Sequence, residues 1–193
     1  WRSTDAGETW VLEPGVKDDF QDAWIDPKDP DRMIVTCDGG TQVTLTGGKT
    51  WSSFATQSGV QFYRVDTDDQ FPYRVYGNAQ DLLVYSIPSA SRWGGIPLHM
   101  TDYIGNGETG RAIPKPGDPN IVYSLATGAS YGAAAHFTVN NVKTGQTEPR
   151  SVWPEVLFGT PASEFKYRFN WQAPFLVSPH DPKTIYMAAN VVF

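Results

Sequence analysis

The chain has 193 residues, of which 40% are hydrophobic, 13% aromatic and 19% charged, and this composition excludes a disordered chain. No apolar run is long enough to cross a bilayer as a helix, so we expect no membrane span. The formal net charge of -6 argues against nucleic acid as a partner, because an acidic surface repels phosphates. Many aromatic residues together with 18 glycines and 15 prolines predict short strands joined by tight turns, with little helix.

An eight-residue pattern, S/T-x-D-x-G-x-T-W, occurs near the start of the chain and again about forty residues later. Ser3–Trp10 matches it at every specified position, and Thr44–Trp51 matches except that Thr46 replaces the aspartate. Short polar side chains bond backbone amides within a turn, and glycine supplies a positive φ. The pattern therefore predicts two hairpin turns, each followed by a strand that carries a tryptophan.

A second pattern is an apolar residue, a turn rich in proline and aspartate, and then an apolar strand. Its four copies are Ile25–Val35, a looser Val65–Val75, Ile113–Tyr123 and Val177–Met187. Proline cannot donate to a β-ladder and so ends the first strand, while aspartate bonds the amides of the turn. The copies recur every ~40–60 residues, which is the length of a four-stranded antiparallel unit with variable loops.

These motifs resemble the Asp-box β-propellers, a group that includes sialidases, sortilin-type receptors and xyloglucan-cleaving hydrolases. The segments Phe62–Asp68, Tyr73–Asp81 and Tyr167–Trp171 are most similar to secreted bacterial proteins of the sortilin-like or glycosyl-hydrolase-like kind. The resemblance weakens over 82–100 and 105–110. It implies an all-β propeller of four-stranded antiparallel blades and a secreted or cell-surface location.

The repeats divide the chain into about three whole blades and two partial ones. We expect the blades at about 1–12 (partial), 20–55, 60–100, 108–153 and 170–193 (partial). Both ends fall at nearly the same point of the repeat and inside apolar stretches. We therefore expect a segment of a larger propeller whose remainder is a partner; the alternative is a closed four-bladed ring in which the two partial blades join.

Residues of the second strands and the motif tryptophans are expected in the core. The expected core residues are Trp10, Trp24, Ile34, Val35, Trp51, Val75, Ile121, Val122, Ile185 and Tyr186. The single cysteine, Cys37, lies in an apolar run and is expected to be a buried, inert thiol.

Glycosidic hydrolysis needs two carboxylates, one as proton donor and one as base or nucleophile. The candidates outside the repeated turns are Asp66, Asp81, Asp102 and Glu108, of which Asp81, Asp102 and Glu108 are retained as catalytic candidates. A solvated or turn-capping role is the alternative for each. In the xyloglucan-cleaving relatives the two acids come from opposite propellers, which implies at most one here.

Aromatic rings stack on the flat faces of sugars, and amide or guanidinium groups bind sugar hydroxyls. The ligand-binding candidates on this basis are Trp93, Tyr103, Arg168, Asn170 and Trp171. The alternative for the aromatic residues is packing between blades. His99 with Asp102 is too small a set for a metal site, so we expect no metal and no cofactor.

The sequence thus predicts a portion of a secreted glycosyl-hydrolase-like propeller that acts on or binds glycans. The alternatives are a sortilin-like module that recognises a peptide or protein without catalysis, and a structural surface module.

Overall fold

A computed structural model describes residues 1–16, 19–37, 39–53, 61–80, 82–128, 133–156 and 159–193. Their regular structure is antiparallel β-sheet, with short 3-10 turns at Leu98–Met100 and Ala162–Glu164 and no α-helix in this part of the chain. The all-β, antiparallel prediction is therefore confirmed. The strands are β1 (Phe20–Ile25), β2 (Met33–Cys37), β3 (Gly40–Thr44), β4 (Phe62–Thr67), β5 (Arg74–Ala79), β6 (Leu83–Pro88), β7 (Asp102–Asn106), β8 (Arg111–Lys115), β9 (Asp118–Gly128), β10 (Ala133–Asn141), β11 (Gln146–Pro149), β12 (Phe175–Val177) and β13 (Ile185–Met187).

Each sheet is a meander in which strands that follow one another in the chain are hydrogen-bonded neighbours. The orders are β1-β2-β3, β4-β5-β6-β7, β8-β9-β10-β11 and β12-β13. The fourth strand of the second sheet, β7, spans Asp102–Asn106 and so lies just beyond the expected blade at about 60–100. The chain forms two compact units, Trp1–Gly59 and Val60–Phe193, which are described separately.

The first unit contains a short hairpin, in which Arg2 pairs with Val11, and the sheet β1-β2-β3. Asp5 lies in the turn of the hairpin. Thr46 lies in the turn that follows β3, which Ser52 N closes by donating to Val43 O at 2.9 Å. Both motifs therefore form turns, as predicted, but the strand expected after the second turn is absent from the described residues that follow it, Trp51–Ser53.

In both turns the side chain at the third position of the motif accepts a hydrogen bond from the amide four residues on, but the accepting group differs. Asp5 Oδ1 accepts from Thr9 N at 2.9 Å and from Ser3 Oγ at 2.7 Å. In the second turn Thr46 Oγ1 accepts from Thr50 N at 3.0 Å. A hydroxyl therefore replaces the carboxylate in the second copy and keeps the bond to the amide four residues on.

The acidic turns between first and second strands are built as the sequence predicts in three of the four copies. Asp26 caps the turn before β2, Asp68 accepts from Arg74 N at 2.8 Å, and Asp181 accepts from Lys183 N at 3.0 Å. In the copy at 113–123 the connection is much tighter, because β8 continues to Lys115 and β9 starts at Asp118. Pro114 is tolerated inside β8 because β8 is an edge strand.

The second unit is a stack of sheets whose facing sides form two apolar clusters. The first cluster joins the sheet β4–β7 to the sheet β8–β11 through Tyr76, Val84, Ile104, Ala112 and Val122. The second joins β8–β11 to β12-β13 through Leu125, Ala135, Phe137, Ala173, Phe175 and Met187. Burying each large apolar side chain contributes about 1.5–3 kcal/mol, so these interfaces hold the unit together.

The first strands of three successive sheets lie side by side, β4 beside β8 and β8 beside β12. Arg111 on β8 links all three. Its Nε and Nη2 donate to the two carboxylate oxygens of Asp66 on β4 at 2.6 and 2.7 Å, and its Nη1 donates to Phe175 O on β12 at 3.4 Å. Hydrogen bonding to Asp66 raises the pKa of Arg111 above its usual value.

The burial predictions are confirmed for part of the expected core. Val35, Val122 and the Cys37 thiol are buried, and Ile34, Trp51, Val75, Ile121 and Ile185 are partly buried. They are wrong for the following three residues, which are all exposed: Trp10, Trp24 and Tyr186.

The three exposed residues have local explanations. Trp10 folds back on its own turn, where its Nε1 donates to Gly7 O at 3.1 Å, instead of packing between sheets. Trp24 lies on the edge strand β1, all of whose residues are exposed. Tyr186 is on β13, which pairs only with β12 among the described strands.

The pKa of Asp5 is lowered from 3.8 to about 2 by its hydrogen bonds, chiefly from the Thr9 hydroxyl and amide. Because the folded pKa is the lower one, the carboxylate stabilises the hairpin fully above pH 3.8, and this contribution is lost as the pH falls towards 2. We expect the Thr9 amide NMR shift to titrate with a midpoint near pH 2. The Thr50 amide, bonded to the uncharged Thr46, is the internal control and should not move; a Thr9 midpoint at or above the ordinary value would contradict the bonding scheme.

Replacing Asp66 with Ala leaves the half-buried Arg111 guanidinium without its carboxylate. We expect the D66A variant to lose about 2–3 kcal/mol of unfolding free energy in urea denaturation, since one partner of a largely desolvated pair is removed. The control is Asp69→Ala, which removes an exposed acid from the turn after β4. Equal stability of the two variants would show that the pair does not hold the first strands together.

Candidate functional site

A cleft of about 720 Å³ opens on the second unit where the chain approaches and leaves the sheet β12-β13. One wall is Arg64 on β4. The others are the segment before β12 and the turn after β13. The lining residues are Arg64, Arg168, Asn170, Trp171, Gln172, Pro174, Ala188, Ala189 and Asn190.

Trp171 is the aromatic face of the cleft, and it is held from two sides. Its indole Nε1 donates to Tyr63 Oη at 3.2 Å, and its carbonyl oxygen accepts from Thr109 Oγ1 at 2.8 Å. Tyr63 in turn donates to Gln80 Oε1. The side chain nevertheless remains 43% exposed, so part of a side chain with a fixed position is accessible from solvent.

The segment before β12 has no regular structure, and polar contacts to the neighbouring turn fix its course. Arg168 N donates to Asn190 Oδ1 at 2.8 Å, and Ala188 N donates to Pro174 O at 2.9 Å. Asn170 Oδ1 accepts from Gln172 N at 3.3 Å, which forms a local turn around Trp171. These contacts set the guanidinium, amide and indole groups around one opening.

The cleft is basic and polar within an acidic chain. The described residues of its lining comprise two arginines and three side chains with amide groups, and none of them carries a carboxylate. Within the part of the chain that the structure describes, neither Arg64 nor Arg168 forms an ion pair. Such a lining binds hydroxyl and anionic oxygen acceptors, while the indole face stacks on an apolar surface of the same ligand.

Three of the five predicted ligand-binding residues meet in this cleft: Arg168, Asn170 and Trp171. Sequence reasoning missed Arg64, which follows Phe62 and Tyr63 on β4. The alternation of a strand gave no signal here, because the register of β4 shifts between Phe62 and Val65 and the regular pattern of sides is interrupted at Tyr63 and Arg64. The strand alone does not say which side faces a cleft.

Trp93 and Tyr103 lie elsewhere in the unit. Trp93 is in the loop between β6 and β7, with the Arg92 guanidinium 4.7 Å and the His99 ring 5.7 Å from its ring centroid. Tyr103 is on β7, where its ring centroid is 5.1 Å from that of Tyr85. Both are exposed and neither lines the cleft.

The three acidic candidates that the structure describes, Asp66, Asp102 and Glu108, do not line the cleft either. Asp102 Oδ2 accepts from Arg74 Nη2 at 2.5 Å, and Asp66 is held by Arg111. Glu108 is only 2% exposed. Asp81 lies outside the described residues.

Among the described residues no group of three or more His, Cys, Asp or Glu side chains could hold a metal ion. None of their helical segments has the length and apolar character of a membrane-crossing helix. A separate cavity of about 580 Å³ in the first unit lies between the N-terminal hairpin and the sheet, and its walls are mostly apolar, including Leu12, Phe20, Met33 and Trp51.

No protein-family model matches this sequence, and no curated protein matches it.

Replacing Tyr63 with Phe removes the acceptor of the Trp171 indole N–H and leaves the ring size unchanged. A hydrogen bond with a net contribution of ~0.5–1.5 kcal/mol predicts hydrogen exchange of this N–H that is about two- to tenfold faster. The measurement is NMR hydrogen exchange of the indole resonance, with Tyr103→Phe as the control. Unchanged exchange in Y63F would mean that Tyr63 does not fix the Trp171 ring.

Proposed function

We propose that this chain is a segment of a secreted or cell-surface Asp-box β-propeller that binds a glycan in the cleft around Trp171. The observation that carries the proposal is the fixed, partly exposed indole of Trp171 among guanidinium and amide groups. Sugar rings combine flat C–H faces with hydroxyl groups, and this pairing of an aromatic face with polar hydrogen-bonding groups suits both.

The packing of the second unit supports the propeller part of the proposal. Successive meanders stack face to face, and their first strands lie next to one another, linked by Arg111. Radial repetition of four-stranded sheets around an axis produces this relation between sheets. The cleft lies at the end of the first strands, where connecting loops gather and propellers offer ligand sites.

We propose binding in preference to hydrolysis. A glycosidase places two carboxylates on either side of the bond that it cleaves, and the described residues that line this cleft include no carboxylate. Asp102 forms an ion pair with Arg74, Asp66 forms one with Arg111, and Glu108 is buried. A peptide-binding role is the alternative; we favour a glycan because five of the nine described lining residues carry guanidinium or amide groups that can bind sugar hydroxyls.

Trp171→Ala removes the stacking face, and we expect binding to the best glycan on an array to weaken at least about tenfold, which corresponds to ~1.4 kcal/mol. The matched control is Trp93→Ala, an exposed tryptophan outside the cleft. Titration calorimetry with the glycan found on the array gives the affinities, and a hydrolysis screen on the same glycans tests for catalysis.

Loss of binding in W93A with binding retained in W171A would move the site to the loop between β6 and β7. Binding only to peptides would replace the glycan proposal with the recognition alternative. Turnover of a glycan by the chain would contradict the binding-only role.

A further inference from the structure

The arginines of the chain fall into two groups, those that contact a carboxylate or an aromatic ring of the protein and those that line the cleft. The chain has eight arginines: Arg2, Arg32, Arg64, Arg74, Arg92, Arg111, Arg150 and Arg168. Five of them pair with a carboxylate, namely Arg2, Arg32, Arg74, Arg111 and Arg150. Arg92 stacks on Trp93. The remaining two, Arg64 and Arg168, are the two that line the cleft.

Two guanidinium groups in one cleft, neither paired with a carboxylate of the described residues, are unexpected for a chain of net charge -6, in which acidic residues outnumber basic ones by 21 to 15. Carboxylates are abundant in this chain, yet these two arginines do not pair with one that the structure describes. The N–H groups of their guanidiniums can therefore donate to a ligand. A local positive potential in an acidic protein attracts small anions while the rest of the surface repels them. The charge therefore points to an acidic group on the ligand.

The geometry of arginine suits a carboxylate as this acidic group. A guanidinium binds a carboxylate through two parallel N–H···O bonds, and the planar fork matches the planar acid. In a hexuronate the carboxylate is attached directly to the pyranose ring. A ring that stacks on Trp171 thus brings its acid close to polar groups at the edge of the indole.

We propose that the cleft recognises an acidic glycan, a hexuronate whose ring stacks on Trp171 and whose carboxylate is bound by Arg64 and Arg168. This inference rests on the proposed glycan-binding function and names its ligand class. Asn170, Gln172 and Asn190 supply amide groups for the ring hydroxyls.

The test compares three short oligosaccharides of equal length: an oligogalacturonate, its fully methyl-esterified form and a neutral cello-oligosaccharide. Titration calorimetry at low and at high salt measures their affinities. We expect the free acid to bind about tenfold or more tightly than its ester, because charge-assisted bidentate bonds are lost on esterification. The preference should shrink at high salt, because ions screen the guanidinium charge.

Arg64→Gln and Arg168→Gln are each expected to reduce the ratio of the affinity for the acid to the affinity for the ester by at least about fivefold. Arg92→Gln, outside the cleft, is the control and should retain the full preference. Circular dichroism of the variants checks that the exposed substitutions leave the fold intact.

Equal binding of acid and ester, or a preference that survives both arginine substitutions, overturns the inference and leaves glycan binding standing. Tighter binding of a sulfated oligosaccharide or of a peptide carboxylate than of the uronate also overturns it. If none of the glycans binds and the array is blank, the proposed function fails and this inference fails with it.

Discussion

The contact on which the second unit depends is the link that Arg111 makes between three first strands. Strands within a sheet are held by their ladders, but neighbouring sheets touch mainly through side chains. Apolar contacts between faces supply most of the association free energy and have little directional preference. The bidentate bond to Asp66 and the bond to Phe175 O are directional, and they fix how β4, β8 and β12 lie beside one another. Two residues of the cleft lining belong to or adjoin these strands: Arg64 is on β4, and Pro174 directly precedes β12.

The proposed glycan site is assembled from residues far apart in the chain because two strand ends and one loop converge there. Trp171 is tied through its side chain to Tyr63 on β4 and through its backbone to Thr109 before β8. A ligand that stacks on this indole would therefore contact a group already held by two sheets. Little ordering would remain to oppose binding, which is the condition for a useful affinity at a small site.

Local chemistry could be predicted from the sequence, and contacts between distant residues could not. The hairpins at Asp5 and Thr46 follow from bonds within eight residues, so the pattern alone was enough. Trp10 was misplaced because its indole bonds back to Gly7, a choice that the motif does not reveal. Arg64 was missed because recognising an unpaired arginine requires knowing where every carboxylate lies. Arg168, Asn170 and Trp171 could be grouped from the sequence because they are close together in it, and the structure places all three in one cleft.

The side chains that shape the two hairpin turns bond within their own motif, from Ser3 to Trp10 and from Thr44 to Thr50. A duplicated copy of such a motif brings the partners of these side-chain bonds with it, while in the second copy the backbone of Gly47 also bonds residues outside the motif, Asp31 and Arg2. Asn78 is the opposite case, because its Nδ2 donates to Thr109 O and Leu125 O on the next sheet. Gene duplication and protein engineering can therefore add or exchange repeats most readily by cutting at the hairpins, while a cut between β5 and β9 separates partners that must be inherited together.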